Sequence, residues 1–268
     1  MHSRVIWSED YIATATKFAT FSKSKVIAGL VGETVAPCIQ LETKDFLSCH
    51  GPQYVNSVKT GHPRNLATSN GFDWDWGMYK SVSAHCSGVA SAVGSALAHG
   101  GNWVTLSSGL HHARWRTGAL FCTFNGLAIA VKKFETRKIL VLDWDSHCGG
   151  GTYSLVARPE HHFDLSTNTL DVTPTSVIVP VMTEYLDAAE KMLADAGTDW
   201  DVVLYNAGVD MVYTPNDVEI LHQRENMLFA WAARHNLPVA TTLAGGYGDL
   251  DEVAKLHMIT INTAKGYN

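Results

Sequence analysis

The stretch LVLDWDSHCGGGTYS, Leu140 to Ser154, decides how this chain is read. An apolar run suited to a buried strand gives way to Asp143, Asp145 and His147 at every second position, then to three glycines. Alternate side chains of a strand face the same way, so the spacing predicts polar groups converging at a strand's carboxyl end. Buried polar groups without partners are costly. Either something positive holds the three together, or Asp145 and His147 are an ordinary pair capping a helix start.

Working outward, comparable runs recur as RVIW near Val5, NWVTLSS at 102–108, KILVLDWD at 138–145, TSVIVPV at 175–181, DVVLYNAG at 201–208 and LPVATTLAGG at 237–246. Helical spacing fills several gaps: YKSVSAHCSGVASAVGSALAHG at 79–100, EYLDAAEKMLADAG at 184–197 and EILHQRENMLFAWAARHN at 219–236, each closed by Gly or Asn. The alternation predicts an α/β fold with a mostly parallel sheet, right-handed crossovers and helices on both faces. In such sheets ligands sit beyond the carboxyl ends of the strands. No repeat, low-complexity tract or Pro/Gly/Ser linker divides residues 1–268, so a single domain is expected.

Hydrophobic residues make up 46% of the chain and charged residues 17%, enough for a deep core and against disorder. A net charge of −6 argues against a nucleic-acid surface, which needs clustered Lys and Arg. The five cysteines, odd in number and without a C-x-x-C pair, suit free thiols in a reducing compartment. The N-terminal stretch carries charge where a signal peptide needs an apolar core, and no run approaches a membrane span. Cytoplasmic localisation without a membrane partner is the expectation. The 13 histidines prompt a search for metal or acid/base chemistry.

Four strand exits deliver such groups: His111 and His112 after NWVTLSS, Asp143, Asp145 and His147 after KILVL, Asp210 after DVVLYNAG, and Tyr247 after ATTLAGG. Singly each has a bland reading, Asp210 as a turn acid, His111-His112 as a core histidine beside an exposed one, Tyr247 as a packing residue. Together, two carboxylates and an imidazole make a ligand set that zinc accepts in open catalytic sites. Mn²⁺ or Fe²⁺ would accept it as well.

GLHHARWRTGALFCTFNGLAIA (109–130), VLDWDSHCGGGT (141–152), NAGVD (206–210) and LAGGYG (243–248) resemble, in order and spacing, the histone deacetylase superfamily, which includes acetoin-utilisation proteins and acetylpolyamine amidohydrolases. CHGPQYVNSVKTG (49–61) is similar to the family's His-x-x-x-Tyr-Val helix segment. The resemblance covers roughly residues 45–250. It implies a three-layer α/β sandwich with a parallel sheet of about eight strands, shared with arginase, and hydrolysis of an acetyl or short acyl amide such as acetyl-lysine or an acetylpolyamine.

By the same resemblance, Asp145, His147 and Asp210 would hold the catalytic zinc. His111 and His112 would act as general base and general acid, Asp143 would orient His111, and Tyr247 would donate to the developing oxyanion. Phe121 would grip an alkyl stem, Gly246 would lie against substrate, and Asp73 would stand at the rim beside Asp75, acids suited to a cationic substrate. A potassium ion would sit on carbonyls around Asp143, Asp145 and His147 with the Ser166 hydroxyl, unless Ser166 simply closes a strand. Homo-oligomerisation is left open.

Some residues depart from the family pattern. Cys148 replaces a second histidine, and Leu120 a channel glycine. Gly150 stands where the family places the Asp or Asn that pairs with the second tandem histidine, which predicts a His112 without its partner. The segment from Ser166 to Asp210 is short and lacks the loop with a second channel aromatic, so a wider, shallower site is expected. Trp74, Trp76 and Trp115 read as partly buried packing residues, with interface anchors or lids as the alternative. Two other functions fit the sequence: a metal-binding member that has lost turnover, and a two-manganese ureohydrolase, which would need further Asp-rich ligand motifs.

Overall fold

Seven runs pair into one all-parallel sheet in the computed structural model, which describes residues 4–156 and 158–268. They are β1 (Val5–Ile6), β2 (Asn102–Thr105), β3 (Ile139–Trp144), β4 (His162–Ser166), β5 (Ser176–Ile178), β6 (Val202–Gly208) and β7 (Val239–Ala244). Their order across the sheet is β1-β2-β7-β6-β3-β4-β5. The described residues thus hold seven strands where about eight were expected.

Every residue of β3, β6 and β7 is buried, the mark of strands covered on both faces. The period of two sorts β3 between two cores. Leu140, Leu142 and Trp144 pack with Val203, Tyr205, Leu228 and Phe229 on one face. Ile139 and Val141 pack with Val89, Val93 and Leu127 on the other. Helices Met78–His99 and Gly126–Lys133 cover the second face, while Ala19–Val31, Tyr185–Ala196, Pro215–Arg234 and Leu250–Gly266 cover the first. Pro215–Arg234 begins where Thr214 and Asp217 form a capping box with Pro215 in the first turn, satisfying otherwise orphaned N–H groups. No helix among the described residues is long and apolar enough to cross a membrane.

Two strands differ from the sequence reading. The 175–181 run contributes only Ser176–Ile178, an edge strand, because Pro180 lacks the N–H a ladder needs. HFDLS at 162–166, not read as an apolar run, is β4. It pairs Asp143 with Asp164 across the ladder and buries His162, Asp164 and Leu165.

The strand order places the chemistry. β2, β7, β6 and β3 are consecutive neighbours, so the four polar exits open side by side at one edge of the sheet.

Candidate active site

β3 ends at Trp144, so Asp145 and His147 lie in the turn beyond it, not on the strand. There Asp145 Oδ1 accepts from the His147 backbone N–H at 2.9 Å and stands 3.0 Å from His147 Nδ1. Asp210, just past β6, brings Oδ2 to 3.0 Å from the same Nδ1. Ligand atoms of Asp145, His147 and Asp210 all lie within 4.8 Å of one another. Asp210 Oδ2 is buried with only the His147 ring nitrogen beside it and no well-formed hydrogen bond, so a cation would satisfy it. The residues therefore fit a divalent ion: two oxygens and one imidazole nitrogen in an open site. Gly245 makes room for them, since a Cβ there would fall 2.5 Å from Asp210 Cγ and its φ is +61°.

His111 and His112 are both buried, not one buried and one exposed. His111 Nδ1 donates to Asp143 Oδ2 at 2.8 Å, leaving Nε2 3.7 Å from Asp145 Oδ1. Asp143 also accepts from Asn206 Nδ2 at 2.7 Å. Burial opposes its ionisation, but the facing His111 holds the Asp143 carboxyl well below the usual range. Burial likewise pulls His111 down, and Asp143 with Asp145 more than offsets this, raising it to about 10. A dication beside Asp145 would work against that rise by like-charge repulsion.

The expectation that Gly150 leaves His112 unpartnered is corrected. Asp171, from the loop after β4, accepts from His112 Nδ1 at 2.8 Å and also pairs with Arg114 Nη2. The tandem-histidine turn is held from behind by Asn125, whose Nδ2 donates to His111 O at 2.9 Å and Ala113 O at 3.2 Å. His50 accepts the Asn125 backbone N–H at Nε2 (3.0 Å), so its Nδ1–H donates to Arg114 O (2.9 Å). Tyr54 donates to Thr123 O at 2.6 Å. The His-x-x-x-Tyr-Val segment is thus scaffold for this turn.

Tyr247 is half-exposed, and its ring centroid lies 5.7 Å from that of Phe18. Burial of the hydroxyl, together with Asp145 and Asp210, pushes its pKa up, so it stays a proton donor. Gly246 (φ +85°) packs against Val253 and Val209, aiming the turn. Lys23, fully buried, donates to Gly245 O at 2.7 Å and Leu243 O at 3.4 Å. Burial lowers its pKa to about 8, against the pull of Asp145 and Asp210.

A mouth of about 290 Å³ opens between Phe18, His112, Leu120, Phe121, His147, Leu170 and Tyr247. Phe121 stacks on Phe18 with centroids 4.4 Å apart; both Leu120 and Phe121 are exposed at the mouth and hold positive φ. A hollow of about 30 Å³ lies deeper, walled by Ser108, Leu110, Cys122, Asn206 and Gly245 among others. Asp73 is exposed at the neighbouring turn, 3.9 Å from Arg64. Asp75 is no rim acid: it accepts from the Thr14 hydroxyl and from Gly77 N–H at 2.7 Å. Trp74 packs as expected and bonds Val58 O at 2.7 Å, whereas Trp76 is 83% exposed and Trp115 half-exposed. Ser166 donates to Asp164 Oδ1 at 2.8 Å. Cys148 is a buried thiol whose pKa burial raises.

Asp171, Lys23, Phe18 and Leu170 were not singled out from the sequence. Only Lys23 left a trace, a lysine in a helix with buried Phe21, Ser24 and Ile27 around it.

A family described as the histone deacetylase domain matches residues 14–177. A probable deacetylase of Archaeoglobus fulgidus is 37% identical over 67 residues, 24% of this chain and 19% of that protein. The polyamine deacetylase HDAC10 of Homo sapiens is 31% identical over 117 residues, 38% of this chain and 17% of that protein. The matched stretches therefore span less than a fifth of either relative. Among solved structures, the HDA15 HD domain superposes with a TM-score of 0.77 at 16% identity, covering 98% of this chain and 91% of that one. An acetylpolyamine aminohydrolase from Burkholderia pseudomallei gives 0.74 at 14% identity, covering 98% of both chains.

Proposed function

Since this chain belongs to the histone deacetylase domain family, we propose that it is a zinc-dependent amidohydrolase that removes an acetyl group from an amine, acetyl-lysine or an acetylpolyamine. The observation that carries the reading is the closed set Asp145, His147 and Asp210 beneath two histidines, each tied at Nδ1 to its own carboxylate.

A divalent ion held by those three residues would polarise the acyl carbonyl and lower the pKa of water towards ~7. The chain's own groups do the rest. With Nδ1 engaged by Asp143, His111 offers Nε2 to take a proton from the attacking water, on the side facing Asp145. His112, engaged at Nδ1 by Asp171, would serve as general acid in its doubly protonated form, giving the Nε2 proton to the departing amine while His111 keeps the one taken from water. Tyr247 donates its hydroxyl to the carbonyl oxygen as charge builds there. The hollow beneath the mouth, walled by Leu110, Cys122 and Asn206, is where the acyl group would sit. Phe121 and Phe18 flank the mouth where an alkyl stem would pass, with Gly246 next to Tyr247 as a further substrate contact and Asp73 outside for a distant ammonium. A potassium ion near Ser166 belongs to the same reading. Asp171 fills the gap at Gly150, which supports an enzyme over a metal-binding member that lost turnover.

Acetate release from acetyl-lysine peptide, acetylputrescine and acetylspermidine tests this, with metal analysis of the same sample. One zinc per chain and turnover that falls about 10² to 10³-fold in Tyr247→Phe is the expected result. Two manganese ions per chain, or turnover indifferent to Tyr247, would overturn it.

A further inference from the structure

Gly150 and Asp171 are coupled in space. A Cβ built on Gly150 would meet Asp171 Oδ1 at 2.4 Å and Asp171 O at 2.5 Å. The position just after the metal-binding turn is empty of side chain because a carboxylate from another loop already occupies that volume. Asp171 is seated there at some conformational expense: its φ is +65°, where non-glycine residues are rare. Three contacts hold it. His112 Nδ1 donates to Oδ2 at 2.8 Å, Gly151 N–H reaches the same oxygen at 3.2 Å, and Arg114 Nη2 pairs with Oδ1. One residue earlier, Leu170 O accepts Cys148 N–H at 2.9 Å while its side chain lines the mouth.

We propose that Asp171 is the positioning residue for His112, having taken over from position 150, so that one loop supplies both a wall of the substrate mouth and the orientation of the second histidine. An imidazole bonded at Nδ1 has its tautomer and ring plane fixed, leaving Nε2 to exchange protons with substrate. Arg114 braces the carboxylate from the solvent side, and Leu170, the preceding residue, lines the mouth. The inference rests on the deacetylase reading for its consequence in turnover, but not for the hydrogen bond itself.

The experiment uses the zinc-loaded full chain and four variants. Asp171→Ala is expected to lower kcat about 10 to 100-fold, with a smaller change in KM. Asp171→Asn, whose Oδ1 still accepts from Nδ1–H, is expected to keep most of the activity. Gly150→Asp alone collides with Asp171 and is expected to lose activity. In parallel, ¹⁵N-histidine NMR reads the hydrogen-bonded Nδ1–H of His112, assigned by its loss in His112→Gln. That signal is expected to vanish in Asp171→Ala and persist in Asp171→Asn. Wild-type kcat in Asp171→Ala, or a His112 Nδ1–H signal that survives that substitution, overturns the proposal. If the wild type cleaves no acetylamine, the functional reading fails, while the NMR arm still decides whether Asp171 orients the ring.

Discussion

His50 ties acid stability to the active-site turn. The ring is fully buried and neutral by necessity: Nε2 accepts from Asn125 N–H, so only Nδ1 carries a proton, donated to Arg114 O. Burial lowers its pKa from 6.5 to about 4, partly opposed by the Arg114 carbonyl. Unfolded, the ring takes up a proton below about 6.5; folded, it resists until about 4. The unfolded state binds more protons throughout that window, so stability falls as pH drops through it and is whole above it. At pH 5 the loss works out at about 2 kcal/mol for this one group. His50→Gln keeps an acceptor and a donor but removes the titration. Urea unfolding followed by tryptophan fluorescence at pH 7.5 and 5 gives the measurement. Groups common to both proteins cancel, and the wild type should lose about 2 kcal/mol more than the variant between the two pH values. Equal losses would refute a neutral, load-sharing His50. Protonation there also breaks the bond to Asn125, so the variant should hold turnover to lower pH.

Three further outcomes follow from the site. Lys23→Met leaves Gly245 O and Leu243 O without their donor, at about 1–3 kcal/mol for each buried acceptor, and turnover should fall at least about tenfold as the Tyr247 turn loosens; unchanged kcat with full metal content would count against it. Chelation should lower Tm, and added Zn²⁺ should restore it, by about 4 kcal/mol at a thousandfold excess over Kd; a melting curve indifferent to zinc would sink the ligand assignment. Gly245→Ala drives a Cβ to 2.5 Å from Asp210 Cγ, so metal stoichiometry measured by emission spectrometry should drop well below that of wild type.

The sheet was legible because burial on both faces forces continuous apolar runs, and β2, β3, β6 and β7 carry them. β4 was not, because HFDLS is half polar and becomes a strand only through its pairing with β3. Asp145, His147 and Asp210 stood out because each follows a strand end, a place with chemical meaning in a parallel sheet. Asp171 had no such marker: beside Thr169 and Leu170 it reads as a turn acid, and its partner His112 is 59 positions away in sequence. Gly150 illustrates the limit of reading a position alone, since the missing carboxylate had moved to another loop. Phe18 escaped for the same reason, lying far upstream of the Phe121 ring it meets.

β7 is the last in sequence of the described strands yet lies between β2 and β6. During synthesis, everything up to Pro238 can emerge with the sheet still split in two halves. Each half then offers a raw, apolar edge to solvent and to other chains. Insertion of β7 would weld the histidine-bearing half to the carboxylate-bearing half in one step, so the candidate site is assembled only once Val239–Ala244 is in place. Fragments ending before Val239 should aggregate or be degraded, not persist as partly active intermediates.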